Sequence, residues 1–253
     1  MKYVGSKAKI AKHIVPIIQE HIDKNNVNNY IEPFVGGANI IDKIKCKHKY
    51  GFDIDDIAIT LFKKTQENQN ILNELPEYCS REHYYLIRDN TFSPNWYRSA
   101  ILLFASYNAR VYGGCYGAFA KTKDGKFRDY YREAINNYKK QIPNILDIKF
   151  QATPYWEIDK FVDLKDCMIY CDPPYAEGIG YKKNFNHEMF WEWVRIISRN
   201  NVVIVSEYTA PDDFECIWSM PIKTHMNNRR KLQKVEKLFV YKGDKHEKKN
   251  TCV

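Results

Sequence analysis

Between residues 29 and 72 the chain passes twice from a short strand-like run into a segment of helical spacing, and this alternation restricts the fold more than any other feature. The first run, Asn29 to Phe34, ends in the Gly36-Gly37 turn and leads to a helical stretch near Ala38 to Ile44. The second, Lys49 to Ile54, leads to a longer helix through Ala58, Leu61, Phe62 and Leu72. Strands that alternate with helices are joined by crossovers, so an α/β fold with a parallel sheet is predicted. Upstream, Ser6 can cap a helix whose Ile10, Ile14, Ile17, Ile18 and Ile22 fall at helical spacing, with Pro16 expected to kink it. Downstream, strand character returns at Cys167 to Cys171, at Val202 to Val205 and, last, at Val235 to Tyr241; a helix with Phe190, Trp191, Val194 and Ile197 lies among them.

The middle of the chain breaks this rhythm. An apolar helix, Trp96 to Ala109, runs into a stretch rich in Gly, Tyr, Lys and Arg, Asn108 to Tyr131. We therefore expect residues 62–158 to form an inserted, mainly helical module, with 1–61 and 159–253 forming the main body. A chain of 253 residues suits one such body with one satellite, because single cores stop growing near 250 residues. No apolar run approaches the roughly 18 residues of a membrane span, and residues 1–12 carry four lysines and no apolar signal core, so a cytoplasmic protein without membrane contact is expected.

Several chemistries are disfavoured by what the chain lacks. Its seven cysteines are scattered without a C-x-x-C pair, and neither H-E-x-x-H nor G-x-S-x-G occurs, so no metal site and no serine nucleophile are expected. The net charge of +8 is uneven: residues 81–140 carry +6 and residues 223–249 carry +7, against an acidic remainder. Two basic regions beside an acidic body suggest a polyanion held through its phosphates, although the extreme end from Lys242 reads as a solvated tail.

Three separated features fall at the carboxyl ends of strands, the edge at which open α/β sheets bind ligands. In Glu32-Pro33-Phe34-Val35-Gly36-Gly37 the glycines let the backbone turn sharply and approach a ligand, though ordinary strand–helix turns use glycine too. Without G-x-G-x-x-G or G-K-[ST], a pyrophosphate ligand is disfavoured. Asp53 ends the second strand seventeen residues after Gly36, near the spacing at which an acidic residue accepts from ribose hydroxyls; Asp55 or Asp56 reads instead as a helix cap. Asp172-Pro173-Pro174-Tyr175 is the sharpest feature. Two prolines stiffen the loop and remove its amide donors, leaving carbonyls, a carboxylate and an aromatic ring, which together suit an amino group on a flat base.

With these residues in view, the chain resembles the Dam-like N6-adenine-specific DNA methyltransferases, which carry a cofactor turn, a recognition insert and D-P-P-Y in that order. The resemblance covers nearly the whole chain, through Tyr3 to Lys7, Glu32 to Gly37, Gly51 to Asp53, Cys171 to Tyr175, Ser206 to Tyr208 and Val235 to Phe239. It implies a Rossmann-like S-adenosylmethionine-dependent methyltransferase fold with the strand order of that family. It further implies that Tyr3, Lys7, Asp53 and Asp172 line the S-adenosylmethionine pocket, with Glu32, Phe34, Gly36 and Gly37 beside it, and that Asp172, Pro173, Pro174 and Tyr175 form the catalytic loop. The segment 108–131 only loosely matches the family's recognition segment, so no target sequence carries over.

A methyltransferase acting on duplex DNA must flip its adenine out at a cost of a few kcal/mol. In the insert, Arg110, Lys121, Lys123, Lys126, Arg128 and Arg132 are interleaved with Tyr112, Tyr116, Phe119, Phe127 and Tyr130. Cations that hold phosphates and rings that replace a lost stacking partner are the mixture such a step needs; a basic solvated hairpin is the plainer alternative. A DNA-binding set of Arg110, Tyr116, Lys121, Lys123, Lys126 and Arg128 is therefore expected, on a monomer compatible with a cognate restriction enzyme. Two rivals remain: the same chemistry on RNA or on the amino group of cytosine, the cytosine reading being the one that Asp172 opposes by resemblance, and a catalytically silent DNA-binding module.

Overall fold

The computed structural model describes residues 1–89, 95–122, 124–175, 185–223 and 233–243. Its strands are β1 (Asn29–Glu32), β2 (His48–Asp53), β3 (Phe119–Lys121), β4 (Phe127–Asp129), β5 (Ile148–Ala152), β6 (Cys167–Cys171), β7 (Val202–Glu207), β8 (Phe214–Lys223) and β9 (Gln233–Tyr241). Its α-helices are α1 (Ala11–Lys24), α2 (Asp56–Glu67), α3 (Arg81–Asp89), α4 (Trp96–Ala105), α5 (Tyr130–Gln141) and α6 (His187–Ile197).

Seven strands form one sheet in the order β5-β2-β1-β6-β7-β9-β8. The five from β5 to β7 are parallel, and β9 runs antiparallel to both β7 and β8. The chain first winds outward from β1 through β2 to β5, then returns to place β6 on the other side of β1. The order therefore reverses between β1 and β6, where a crevice opens at the carboxyl ends of doubly wound sheets.

Both faces of the sheet are covered, so its central strands are buried on alternate sides. Tyr30, Met168, Tyr170 and Ile204 enter a core shared with α1, α2, α4 and α5. Ile31, Ile169, Cys171, Val203 and Val205 enter a second core beneath α6 and the turn Tyr155–Lys160. This is the burial expected of parallel strands packed between helices.

Several local expectations are corrected. The predicted helix near Ala38 to Ile44 is only the single 3-10 turn Ile41–Lys43, because Gly36 and Ala38 both take left-handed backbone and the chain cannot enter a helix from there. The helix expected to reach Ala109 stops at Ala105, and Ser106 forms an isolated bridge with Tyr116. Pro16 lies within α1 on its exposed side, and the helix runs on past it to Lys24. Within the mainly helical insert, β3 and β4 form an antiparallel hairpin. Residues 148–152, counted with the insert from the sequence, form β5, the sheet's edge strand on β2. α4 packs on α2 within the main core.

Candidate active site

The site is built where the strand order reverses. β1 ends in Glu32 and hands over to the Gly36-Gly37 turn; β6 ends in Cys171 and hands over to Asp172-Pro173-Pro174-Tyr175. β1 and β6 are hydrogen-bonded neighbours, so the two loops issue side by side.

The acceptor loop is fixed by long-range partners. Lys7, in the short turn before α1, sets its Nζ 2.7 Å from Asp172 Oδ1 and 4.4 Å from the centre of the Tyr175 ring. The Tyr175 hydroxyl is hydrogen-bonded to Glu236 Oε1 and lies 2.9 Å from Ser206 Oγ, while its ring meets Tyr208 edge-on at 4.5 Å. Burial is the main force raising the Asp172 carboxyl to about 6; Lys7 opposes it and the Glu236 charge adds to it. The acceptor therefore gains its charge about two pH units later than a free aspartate does.

The glycine turn is close-packed for a reason that sequence alone did not suggest. A Cβ on Gly36 would stand 2.9 Å from two carbons of the Tyr3 ring, and one on Gly37 would stand 2.6 Å from Asn39 Nδ2 and 2.8 Å from Tyr3 Cβ. The protein's own opening segment therefore uses the space that the glycines leave. The Gln141 side-chain amide, at the end of α5, braces the turn by donating to the Gly37 and Ala38 carbonyls at 3.1 and 2.8 Å. Asn39 donates to the Met1 carbonyl and to Ser6 Oγ.

Asp53 closes the crevice on the β2 side. Its carboxylate accepts from the Gly36 amide at 2.9 Å and from the Asp55 amide at 3.0 Å, and burial raises it to about 6. Asp55 caps α2, as expected, and also accepts from the Tyr112 hydroxyl at 3.0 Å, tying the insert to this edge. Phe34 joins Tyr155, Phe185 and Phe190 in an aromatic cluster on the same side. Glu32 sits differently from expectation: it is buried behind the turn, accepts from the Tyr30 hydroxyl at 2.7 Å, and is pushed well above the usual carboxylate range by burial.

The residues expected to meet DNA divide into three groups. Lys121, Lys126 and Arg110 are exposed, with Lys121 and Lys126 on the β3–β4 hairpin, whose turn is closed by Gly125 at φ +81°. Phe127, 74% exposed, projects from the same hairpin. Arg128 is partly committed, since Nε and Nη2 donate to the two oxygens of Glu133 at 2.6 and 2.8 Å. Tyr116 corrects the expectation: it is half-buried, its hydroxyl donates to the Cys79 carbonyl at 2.8 Å, and its ring packs near Tyr84, so it supports the insert from within. Lys123 lies outside the described residues, as does most of the basic stretch 223–249.

Sequence reasoning missed Glu236, Ser206, Asn39, Gln141 and Tyr155, all of which gain their meaning from partners far along the chain. Glu236 and Ser206 do fall in the segments that carried the family resemblance. No group of three or more His, Cys, Asp or Glu residues that could hold a metal occurs among the described residues, and no described helix is long and apolar enough to cross a membrane.

Comparison with known proteins bears directly on this arrangement. The Type II methyltransferase M.MjaIII of Methanocaldococcus jannaschii is 25% identical over 201 residues, covering 69% of this chain and 68% of that one. The DNA adenine methylase of Salmonella typhi is 26% identical over 188 residues, covering 70% of this chain and 64% of that one. The chain thus spans about two thirds of the length of the curated relatives it matches. The model of the D12 class N6 adenine-specific DNA methyltransferases matches residues 3–194, a span that takes in Lys7, the glycine turn, Asp53, the insert and the acceptor loop. The chain belongs to that family.

Proposed function

We propose that the protein transfers a methyl group from S-adenosylmethionine to the exocyclic N6 of an adenine flipped out of duplex DNA. The observation that carries the reading is the acceptor loop at the reversal between β1 and β6, with Asp172 anchored by Lys7 and the Tyr175 ring held beside it.

The donor set fits the cofactor. Asp53 spends part of its acceptor capacity on two backbone amides and keeps the remainder for ribose hydroxyls. Lys7 is bound to Asp172, and the carboxylates of Asp53 and Asp172 at the crevice suit a ligand that carries a positive centre. When bound, S-adenosylmethionine supplies an electrophilic methyl carbon on a sulfonium sulfur.

The rest is positioning by this chain. An adenine amino nitrogen is a weak nucleophile because its lone pair is shared with the ring. Asp172 and the Pro173 carbonyl accept its two N–H bonds, which favours a pyramidal nitrogen with the lone pair directed at the methyl. Orientation of this kind contributes several kcal/mol. Asp172 need not act before the new N–C bond forms; its carboxylate, raised to about 6, can take the proton that the methylated nitrogen then sheds. Tyr175 offers its ring to the base. Lys121 and Lys126 hold phosphates, and Phe127 fills the gap that the flipped base leaves.

The test is transfer of tritium from methyl-labelled S-adenosylmethionine to duplex DNA, single-stranded DNA and RNA, with the products digested to nucleosides. Label in N6-methyladenine from duplex DNA is expected. Label only in RNA or in cytosine would move the substrate, and no label at all would leave a DNA-binding module.

A further inference from the structure

We propose that Glu236 is a positioning residue of this active site, sharing Lys7 with Asp172 and clamping the Tyr175 hydroxyl so that the acceptor and the stacking ring are held in one geometry. The proposal rests on the function proposed above, but Glu236 stands on β9, outside the residues 3–194 that the family model matches.

Glu236 is 1% exposed, and one of its oxygens is the meeting point of three donors. Oε1 accepts from the Tyr175 hydroxyl, accepts from Ser206 Oγ at 2.5 Å, and lies 3.7 Å from Lys7 Nζ. These donors come from the acceptor loop, from β7 and from the turn before α1. Burying a carboxylate is costly, and a residue needed only for packing would be cheaper as an apolar side chain. What the charge adds is control of Lys7.

That ammonium lies 2.7 Å from Asp172 and 3.7 Å from Glu236, and it stands over the Tyr175 ring. Facing Asp172 alone, it would draw electron density from the carboxylate that must accept the amino hydrogens. A second carboxylate on the far side divides its pull. Glu236 also fixes the ring: with the hydroxyl anchored, the edge set against Tyr208 and Lys7 above, the phenol has no freedom to turn away from an entering base.

Glu236→Gln keeps the size and an acceptor oxygen but removes the charge. We expect kcat for methyl transfer to fall at least tenfold while the KM for S-adenosylmethionine stays within twofold. We also expect the acid limb of the kcat–pH profile to move to lower pH. Among the described residues, the groups facing Asp172 are Lys7 from the turn before α1, Glu236 from β9, Tyr175 from its own loop, Tyr170 and Cys171 from β6, and Glu32 from β1. Of these, Glu236 contributes a like charge that holds the Asp172 proton more tightly, so its removal lets that proton leave sooner. An unchanged kcat, or an unmoved acid limb beside a lowered melting temperature, would overturn the proposal and leave Glu236 a structural residue.

Tyr175→Phe supplies an independent check that does not depend on how well the glutamine variant folds, because it removes from the donor side the hydrogen bond that the glutamine variant only weakens. The two substitutions should be less than additive, because both weaken the clamp although only the glutamine variant frees Lys7; fully additive losses would refute the clamp. If the unaltered protein methylates adenine, either failure falls on Glu236 alone. If it methylates none, the functional reading fails and takes this role with it.

Discussion

The acceptor corner and the β3–β4 hairpin both carry cations beside aromatic rings, yet they are built in opposite ways. At the corner, Lys7, Asp172, Tyr175, Ser206 and Glu236 are withdrawn from solvent and each is bonded to another member of the set. On the hairpin, three-residue strands present Lys121, Lys126 and Phe127 to water. Charges in the corner act at short range in a poorly screened medium, so each matters singly. Charges on the hairpin are screened within about 10 Å, so they matter as a sum. The same residue types thus serve orientation in one place and attraction in the other.

The largest effect should come from removing the corner's acceptor. Asp172→Ala should cut kcat by at least about a hundredfold, the scale of losing a preorganised electrostatic partner, with DNA affinity retained. Methyl transfer together with a gel-shift titration checks this, and normal turnover would dissolve the contrast between the two regions. Gly36→Ala probes the support beneath the corner. With φ +46° and the Tyr3 ring 2.9 Å from the added carbon, it should cost about 1–3 kcal/mol, read as a lower melting temperature and weaker S-adenosylmethionine binding. A tolerated alanine would mean that Tyr3 moves freely.

On the hairpin, Lys121→Ala with Lys126→Ala should weaken DNA binding by roughly tenfold and flatten its salt dependence by about 0.9 in slope for each phosphate no longer neutralised. kcat at saturating DNA should stay the same; a fall in kcat with an unchanged slope would move these lysines out of the interface. The last test concerns pH. The folded protein holds the Asp53 proton up to about 6, whereas a free aspartate releases it at 3.8. The folded state is thus favoured at low pH, and that contribution is lost as pH rises from about 4 through 6. Asp53→Asn abolishes it, so the melting temperature of the variant relative to the original should climb across that window and level off above it. A constant difference would show that burial does not perturb Asp53.

The same comparison explains what could be read from sequence. The corner's loop was legible because Asp172-Pro173-Pro174-Tyr175 is contiguous and follows an apolar strand. Its partners were not, because nothing near Lys7 or Glu236 in sequence says that they meet. Lys7 was reached only through family resemblance. The hairpin's composition was plain, but its inward Tyr116 was not, since burial of a tyrosine between basic residues depends on Cys79 and Tyr84 from another segment. β5 is a five-residue strand inside a helical stretch, and β8 contains Pro221, which an edge strand accepts because one row of its amides has no partner strand. The helix expected after β1 failed on backbone hand, which the alanine at position 38 does not advertise.

The pairing of Lys7 with Glu236 also has a bearing on timing. One group precedes α1 and the other stands on β9, which must take its place between β7 and β8 before the carboxylate arrives. Until then the ammonium has Asp172 alone and the Tyr175 hydroxyl has only Ser206 to hold it. A nascent or truncated chain lacking that strand could already display its basic hairpin to DNA while remaining unable to mark it.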